Sequence, residues 1–337
     1  LEGVRVRDDV DPAKDPRITD VDRFPAELFV APGSKAPNRA GFAKFGAYAN
    51  AIAHEVAGRP LFIACSADLA DSTNISGFGK DYDDQTGFGW YDRGDNREGV
   101  MLPQEITEFA NSGICCGAAS VNLAENPEQE FNGFFTACST YGSFSYLKYG
   151  PMRLFSQLAQ DCDLKVGKVL WVAGHSGPET AEDSRTHFGI FAPGVTQLFP
   201  DGHVIDVHPW EHNEVPVVLA AAFKTDAPIV ALHLTRPNIS IPDRKALGMP
   251  SHYAAAKGAY VIKPHDPNRP VEGTILVQGT STTDSIYTIL PRLLAGEGPN
   301  VKVVQLVSWE LFQRQPKSYR DEVLPREHWL DSTVVSN

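Results

Sequence analysis

The chain lacks any run of basic residues. Its 30 Lys and Arg are outnumbered by 42 Asp and Glu, for a formal charge of −12. An acidic surface without a basic stripe suits neither nucleic acid nor an anionic membrane. Phosphorylated small molecules remain open, since they need only one or two well-placed cations. Long apolar runs are missing too. Stretches such as Pro216–Phe223 fall far short of the roughly 20 residues that span a bilayer, and no secretory signal pattern opens the chain. Disulfide and zinc spacings are absent. Cys65, Cys115, Cys116, Cys138 and Cys162 are odd in number, and four lie in apolar segments. They read as buried free thiols of a cytoplasmic protein. There is no P-loop, no Gly-x-Gly-x-x-Gly after a strand and no Gly-x-Ser-x-Gly elbow. His208, Glu211 and His212 are neighbours without metal-ligand spacing, so the sequence assigns no metal ligand.

What is present is a length of 337 residues with 42% apolar composition, enough for one large or two medium domains. Residues 1–40, rich in Pro, Asp and Arg, read as an extended linker or arm outside the core. The first residue is Leu, a small sign of a piece of something longer. From Phe45 onward, short apolar runs alternate with helical patterns. The runs Leu61–Cys65, Phe134–Cys138, Val169–Ala173, Val204–Val207 and Ile229–Leu234 read as strands. Phe45–Val56, Pro103–Ala119, Met152–Gln160 and Glu211–Phe223 read as helices. This is the pattern of an α/β domain, a mostly parallel open sheet covered by helices, over residues 41–240. A linker over 241–257 leads to a second α/β unit, 258–337. Its strands are Tyr260–Ile262, Thr274–Val277 and Val303–Leu306, with a helix over Thr283–Leu294. A three-stranded unit of this kind has open edges and little core, and reads as incomplete.

Ligands of open α/β sheets bind beyond the carboxyl ends of the strands. The polar residues there are Asp68 and Ser72 after the first run, and Tyr141 and Phe144 after the second. His175, Asp183 and His187 follow the third, His208 the fourth and Arg236 the fifth. Each also has an ordinary reading as a cap, a loop residue, a core aromatic or a surface charge. Glu105, just after Pro103, would by pattern alone be a first-turn acid that complements the helix dipole.

Six segments, in order, resemble the transketolase family. Ser66-Ala67-Asp68-Leu69 resembles its Ser-Ala-Asp-Leu motif. Thr140-Tyr141-Gly142-Ser143-Phe144 resembles Gly-Gly-Thr-Phe. Glu182-Asp183-Ser184-Arg185-Thr186-His187 resembles Glu-Asp-Gly-Pro-Thr-His, and Leu234-Thr235-Arg236-Pro237-Asn238 resembles Leu-Ser-Arg-Gln-Asn. Lys257–Val261 and Ser308–Phe312 resemble parts of the C-terminal domain. The resemblance implies the pyrimidine module of the thiamine-diphosphate-binding fold, followed by part of a C-terminal domain. The activity it implies is transfer of a two-carbon ketol unit from a ketose phosphate to an aldose phosphate. It implies Glu105 as the glutamate that hydrogen-bonds the cofactor's aminopyrimidine and so activates the thiazolium carbon. Tyr141 and Phe144 wall the ring and Asp68 lies near it. His175, His187 and Asp183 contact sugar hydroxyls and relay protons. Ser72 and Arg236 bind the substrate phosphate, joined by a second basic residue, Arg39 or Lys44.

Departures accompany the match. Arg-Glu-His reads Gln104-Glu105-Ile106, and Gly-Pro before Thr-His reads Ser184-Arg185. No Gly-Asp-Gly motif for the diphosphate and its Mg2+ or Ca2+ occurs. The resemblance therefore implies that another chain or segment brings them, in a homodimer or in a heterotetramer of the two halves. Two alternatives stay open. One is a 2-oxo-acid decarboxylase or deoxyxylulose-phosphate-synthase-like subunit; the other is a non-catalytic scaffold or regulatory subunit of the same fold.

Overall fold

A computed structural model describes residues 10–67, 70–175 and 194–336. Its first sheet holds five strands: β1 (Phe62–Ser66), β2 (Phe135–Tyr141), β3 (Val169–His175), β4 (Val204–Val207) and β5 (Ile229–Thr235). They are all parallel, in the order β1-β2-β3-β5-β4. Helices cover both faces: α1 (Asn38–Ala57), α2 (Glu108–Ala119), α3 (Tyr149–Asp161) and α4 (Glu214–Phe223). Strands buried on both faces have no polar side to show, so they appear in the sequence as continuous apolar runs.

The packing accounts for the helices. On α4, Val215, Val217, Val218 and Leu219 are all fully buried. That helix is enclosed by α1 and by a helical turn over His252–Lys257, so it is apolar all round. Each such side chain contributes about 1.5–3 kcal/mol on burial. α1 ends at Gly58, whose φ of 66° and N–H bond to the His54 carbonyl form a left-handed cap.

The arm expected over residues 1–40 is, from residue 10 onward, packed rather than extended. Ile18, Phe24 and Leu28 enter the main core. Asp11-Pro12 and Asp15-Pro16 each start a short helical turn. The aspartates accept hydrogen bonds from the Ala13 and Arg17 amides (3.0 and 2.8 Å), and the prolines fix the first helical position. Lys35–Ala36 then pairs antiparallel with Ile239–Ser240.

The second unit has four strands rather than three: β6 (Ala259–Lys263), β7 (Thr274–Gln278), β8 (Lys302–Leu306) and β9 (Ser332–Ser336), in the order β9-β7-β8-β6. Only β6 runs antiparallel to its neighbour. Helix α5 (Thr280–Leu294) follows β7, and a short helix, α6 (Trp309–Gln313), follows β8. β9 is an exposed edge strand, so it lacks the apolar run by which its partners are recognised in sequence. The five cysteines are free thiols and four of them are buried, as expected. Among the described residues, no helix is long and apolar enough to cross a membrane.

Candidate functional site

The carboxyl ends of β1, β2 and β3 carry a polar layer over an apolar floor. The Ser139 hydroxyl meets Ser66 at 2.9 Å and Thr73 at 2.7 Å. Beside it stands a buried carboxyl that the sequence reading passed over. Glu108, the first residue of α2, is 6% exposed, and its Oε1 accepts a hydrogen bond from Thr140 Oγ1 at 2.9 Å. The fully buried Lys148 ammonium is near enough to feel the Glu108 charge. That ammonium donates to the Cys138 and Val172 carbonyls (2.8 and 3.1 Å).

Glu105 is placed differently from the expected helix-start pocket. It is exposed, in a segment before α2 that is neither helix nor strand, and among the described residues only its carbonyl is engaged, accepting from Thr107 and Asn111. The cause lies upstream. Met101 is bridged to Ala64 of β1, and the Leu102 amide donates to the Ala64 carbonyl at 2.8 Å. The chain is thereby held extended past Pro103, and the helix starts five residues later than Pro103 suggests. Thr107 takes the N-cap position instead. A threonine followed by an acid was the available signal. The proline, read as the first helical residue, masked it.

Tyr141, 3% exposed, donates from its hydroxyl to Ser72 Oγ at 2.9 Å, and Phe144 is half-buried in the helical turn that follows β2. The Ser72 carbonyl accepts from Arg39 Nη1. The Arg39 guanidinium is held below its ordinary range by burial and, next, by the positive charge of Arg236. Two neighbouring cations, one of them bonded to the Ser72 carbonyl, make an arrangement that can attract an anion. This distinguishes Arg39 from Lys44, which is turned away to the Glu27 carbonyl. His175 closes β3; its side chain, with Asp68, Asp183 and His187, lies outside the described residues.

Around Glu108 the surface is apolar. Ile106 and Phe109 are 74% and 63% exposed, and Tyr146, Leu147 and Leu154 are exposed as well. α2 and α3 adjoin through Phe109, which lies over Gly150: a Cβ there would come within 3.0 Å of the ring. Exposed large apolar side chains on adjoining helices form a patch of the kind that a partner or ligand can cover.

Comparison with known proteins agrees with this architecture. Residues 42–242 match the family model "Transketolase, pyrimidine binding domain", and residues 258–335 match "Transketolase-like TK C-terminal domain". The chain is 31% identical over 283 residues to a transketolase of Geobacillus stearothermophilus, covering 83% of this chain and 36% of that protein. It is 30% identical over 282 residues to a chloroplastic transketolase of Zea mays, covering 82% and 35%. The chain thus spans little more than a third of the length of these relatives. Among solved structures, a Campylobacter jejuni transketolase superposes with a TM-score of 0.65 at 18% identity, covering 95% of this chain and 42% of that one. A split gene transketolase, an inactive β4 tetramer, superposes with a TM-score of 0.53 at 17% identity, covering 90% and 80%.

Proposed function

Because this chain belongs to the transketolase family, on its match to the pyrimidine-binding model over residues 42–242, we propose that it forms the pyrimidine-facing half of a thiamine-diphosphate site. The reaction is transfer of a two-carbon ketol unit from a ketose phosphate to an aldose phosphate. When bound, the cofactor supplies the nucleophilic carbon that carries that unit.

The observation that carries this reading is the buried Glu108 carboxyl, held by Thr140 where β2 ends beside Tyr141. A carboxyl withdrawn from water can hydrogen-bond a ring nitrogen without competition from solvent; an exposed one is solvated. The activating role therefore moves from Glu105 to Glu108. Tyr141 and Phe144 wall the ring and Asp68 lies near it. Ser72, Arg39 and Arg236 orient the substrate phosphate, and His175, Asp183 and His187 serve the sugar hydroxyls. The arginine pair favours a phosphorylated substrate over a simple 2-oxo acid.

A second chain or segment would bring the diphosphate and its Mg2+ or Ca2+ and cover the apolar surface around Glu108. Two features support this: the exposure of Ile106 and Phe109, and the likeness to a split gene transketolase that is inactive as a β4 tetramer. The test is reconstitution. The chain is mixed with a diphosphate-binding partner chain, thiamine diphosphate and Mg2+, and sugar phosphates are compared with pyruvate as donors. Ketol transfer from sugar phosphates, seen only in the mixture, is expected. Turnover of pyruvate alone would overturn the assignment.

A further inference from the structure

Asp206, His208 and His233 form a second cluster at the far edge of the same sheet, away from Glu108. The register creates it. Val207 of β4 faces Leu232 of β5, so the next residues, His208 and His233, are side by side. Asp206 precedes His208 by two and therefore shares its face. The two imidazoles lie parallel, with centroids 3.9 Å apart and planes 13° apart. Both present Nε2 to one oxygen: Asp206 Oδ1 is 2.8 Å from His233 and 3.3 Å from His208. All the donor atoms lie within 4.8 Å of one another.

We propose that Asp206, His208 and His233 bind a transition-metal dication of the Zn2+ class. Ligand bonds of about 2.0–2.2 Å in tetrahedral geometry set donor atoms about 3.3 Å apart; the His208 to Asp206 spacing equals this, and the His233 to Asp206 spacing of 2.8 Å would have to open slightly around an ion. Two imidazole nitrogens with one carboxylate oxygen suit Zn2+ or Co2+ and not Mg2+ or Ca2+, which take oxygen sets. Three protein donors leave one coordination position for water. The side chains are 10–17% exposed, and the donor atoms Asp206 Oδ1 and His233 Nε2 are shielded from solvent.

Neighbouring groups hold the carboxylate and the backbone of the cluster in place. Asp206 Oδ2 accepts from Thr196 Oγ1 at 2.9 Å, which fixes the carboxylate plane. The Asp206 amide donates to Glu310 Oε2 at 3.2 Å, and Glu310 also accepts from Ser308 Oγ at 3.3 Å. The His208 amide donates to the Val307 carbonyl at 2.7 Å. Glu310 and Val307 belong to the second unit, so an ion here would tie the edge strand β4 to it. None of this depends on the ketol-transfer reading.

The test uses the full chain, stripped with a chelator and titrated with Co2+. The expected result is one equivalent bound, with the visible absorption of a four-coordinate ion, displaced by Zn2+. His208→Gln and Asp206→Asn should abolish the band, and Thr196→Val should weaken binding about 10-fold, with far-ultraviolet circular dichroism unchanged. The simpler arrangement is two imidazoles hydrogen-bonded to one carboxylate with no ion. In that case the native chain gives no four-coordinate Co2+ spectrum, and the proposal is wrong. An undiminished spectrum in both ligand variants overturns it equally.

Discussion

At the scale of single residues, three positions in sequence separate Glu105 from Glu108, and burial separates their chemistry. Both are acids at about the start of one helix. A sequence shows the residue type and the helix, but not that the chain is still hydrogen-bonded to β1 at Leu102. That long-range tie delays the helix and sends the later acid inward. Arg39 shows the converse. Two cations, Arg39 and Lys44, are equivalent in sequence, and contact with Ser72 and the nearness of Arg236 favour Arg39 for the proposed phosphate role. Removing Arg39 takes away a charged donor worth roughly 1.5–3 kcal/mol, so Arg39→Ala should raise KM for the phosphorylated donor about 10- to 100-fold. kcat should change much less. Steady-state kinetics against a sugar phosphate and its unphosphorylated analogue would check this, and an equal effect on both substrates would remove the phosphate role.

At the scale of elements, strands were the most legible because both faces are buried and their composition is continuous. Elements with one wet face were not. β9 is exposed and carries no apolar signal, and the turns at Pro12 and Pro16 were hidden by treating Pro and Asp only as breakers. The turn over His252–Lys257 gives a pH prediction. His252 lies against Phe29, with centroids 4.5 Å apart, and its Nε2 is buried without a hydrogen-bond partner among the described residues. Burial, then the charge of Arg244, pushes its pKa down to about 4. The unfolded value is about 6.5. Above that value neither state holds the proton. As pH falls from about 6.5 towards 4, the unfolded chain gains a proton that the native chain refuses, so stability declines through that window. The His252→Phe variant should lose about 2 kcal/mol less than the native chain between about pH 7 and pH 5. Parallel losses in urea unfolding at the two pH values would exclude His252 as a cause.

At the scale of the whole molecule, the two sheets are joined by a buried ion network. Arg244, between them in sequence, donates to Glu211 and Glu214 of the first unit, both at 2.9 Å, and to Tyr260 of β6 at 3.0 Å. Tyr260 donates to Glu214 at 2.6 Å. Arg244→Met would leave two carboxyls buried without a counter-ion, a loss of roughly 3–5 kcal/mol in urea unfolding. A loss below about 1 kcal/mol would show that the network is dispensable. Nothing in the sequence foretold this junction, because its members lie in segments read separately as a helix, a linker and a strand. The α/β architecture was readable from periodicity alone. The joining of its parts was not, since it depends on which polar side chains meet.

Glu108, and not Glu105, is the proposed activator of the cofactor. The most direct test compares kcat for ketol transfer in the reconstituted mixture for Glu108→Gln and Glu105→Gln. Loss of a positioned proton-holding group lowers turnover about 10²- to 10⁴-fold, and that is the result expected for Glu108→Gln. Glu105→Gln should stay within about twofold of the native chain, as befits a solvated surface carboxyl. The reverse ranking, or two variants equally active, would contradict the assignment.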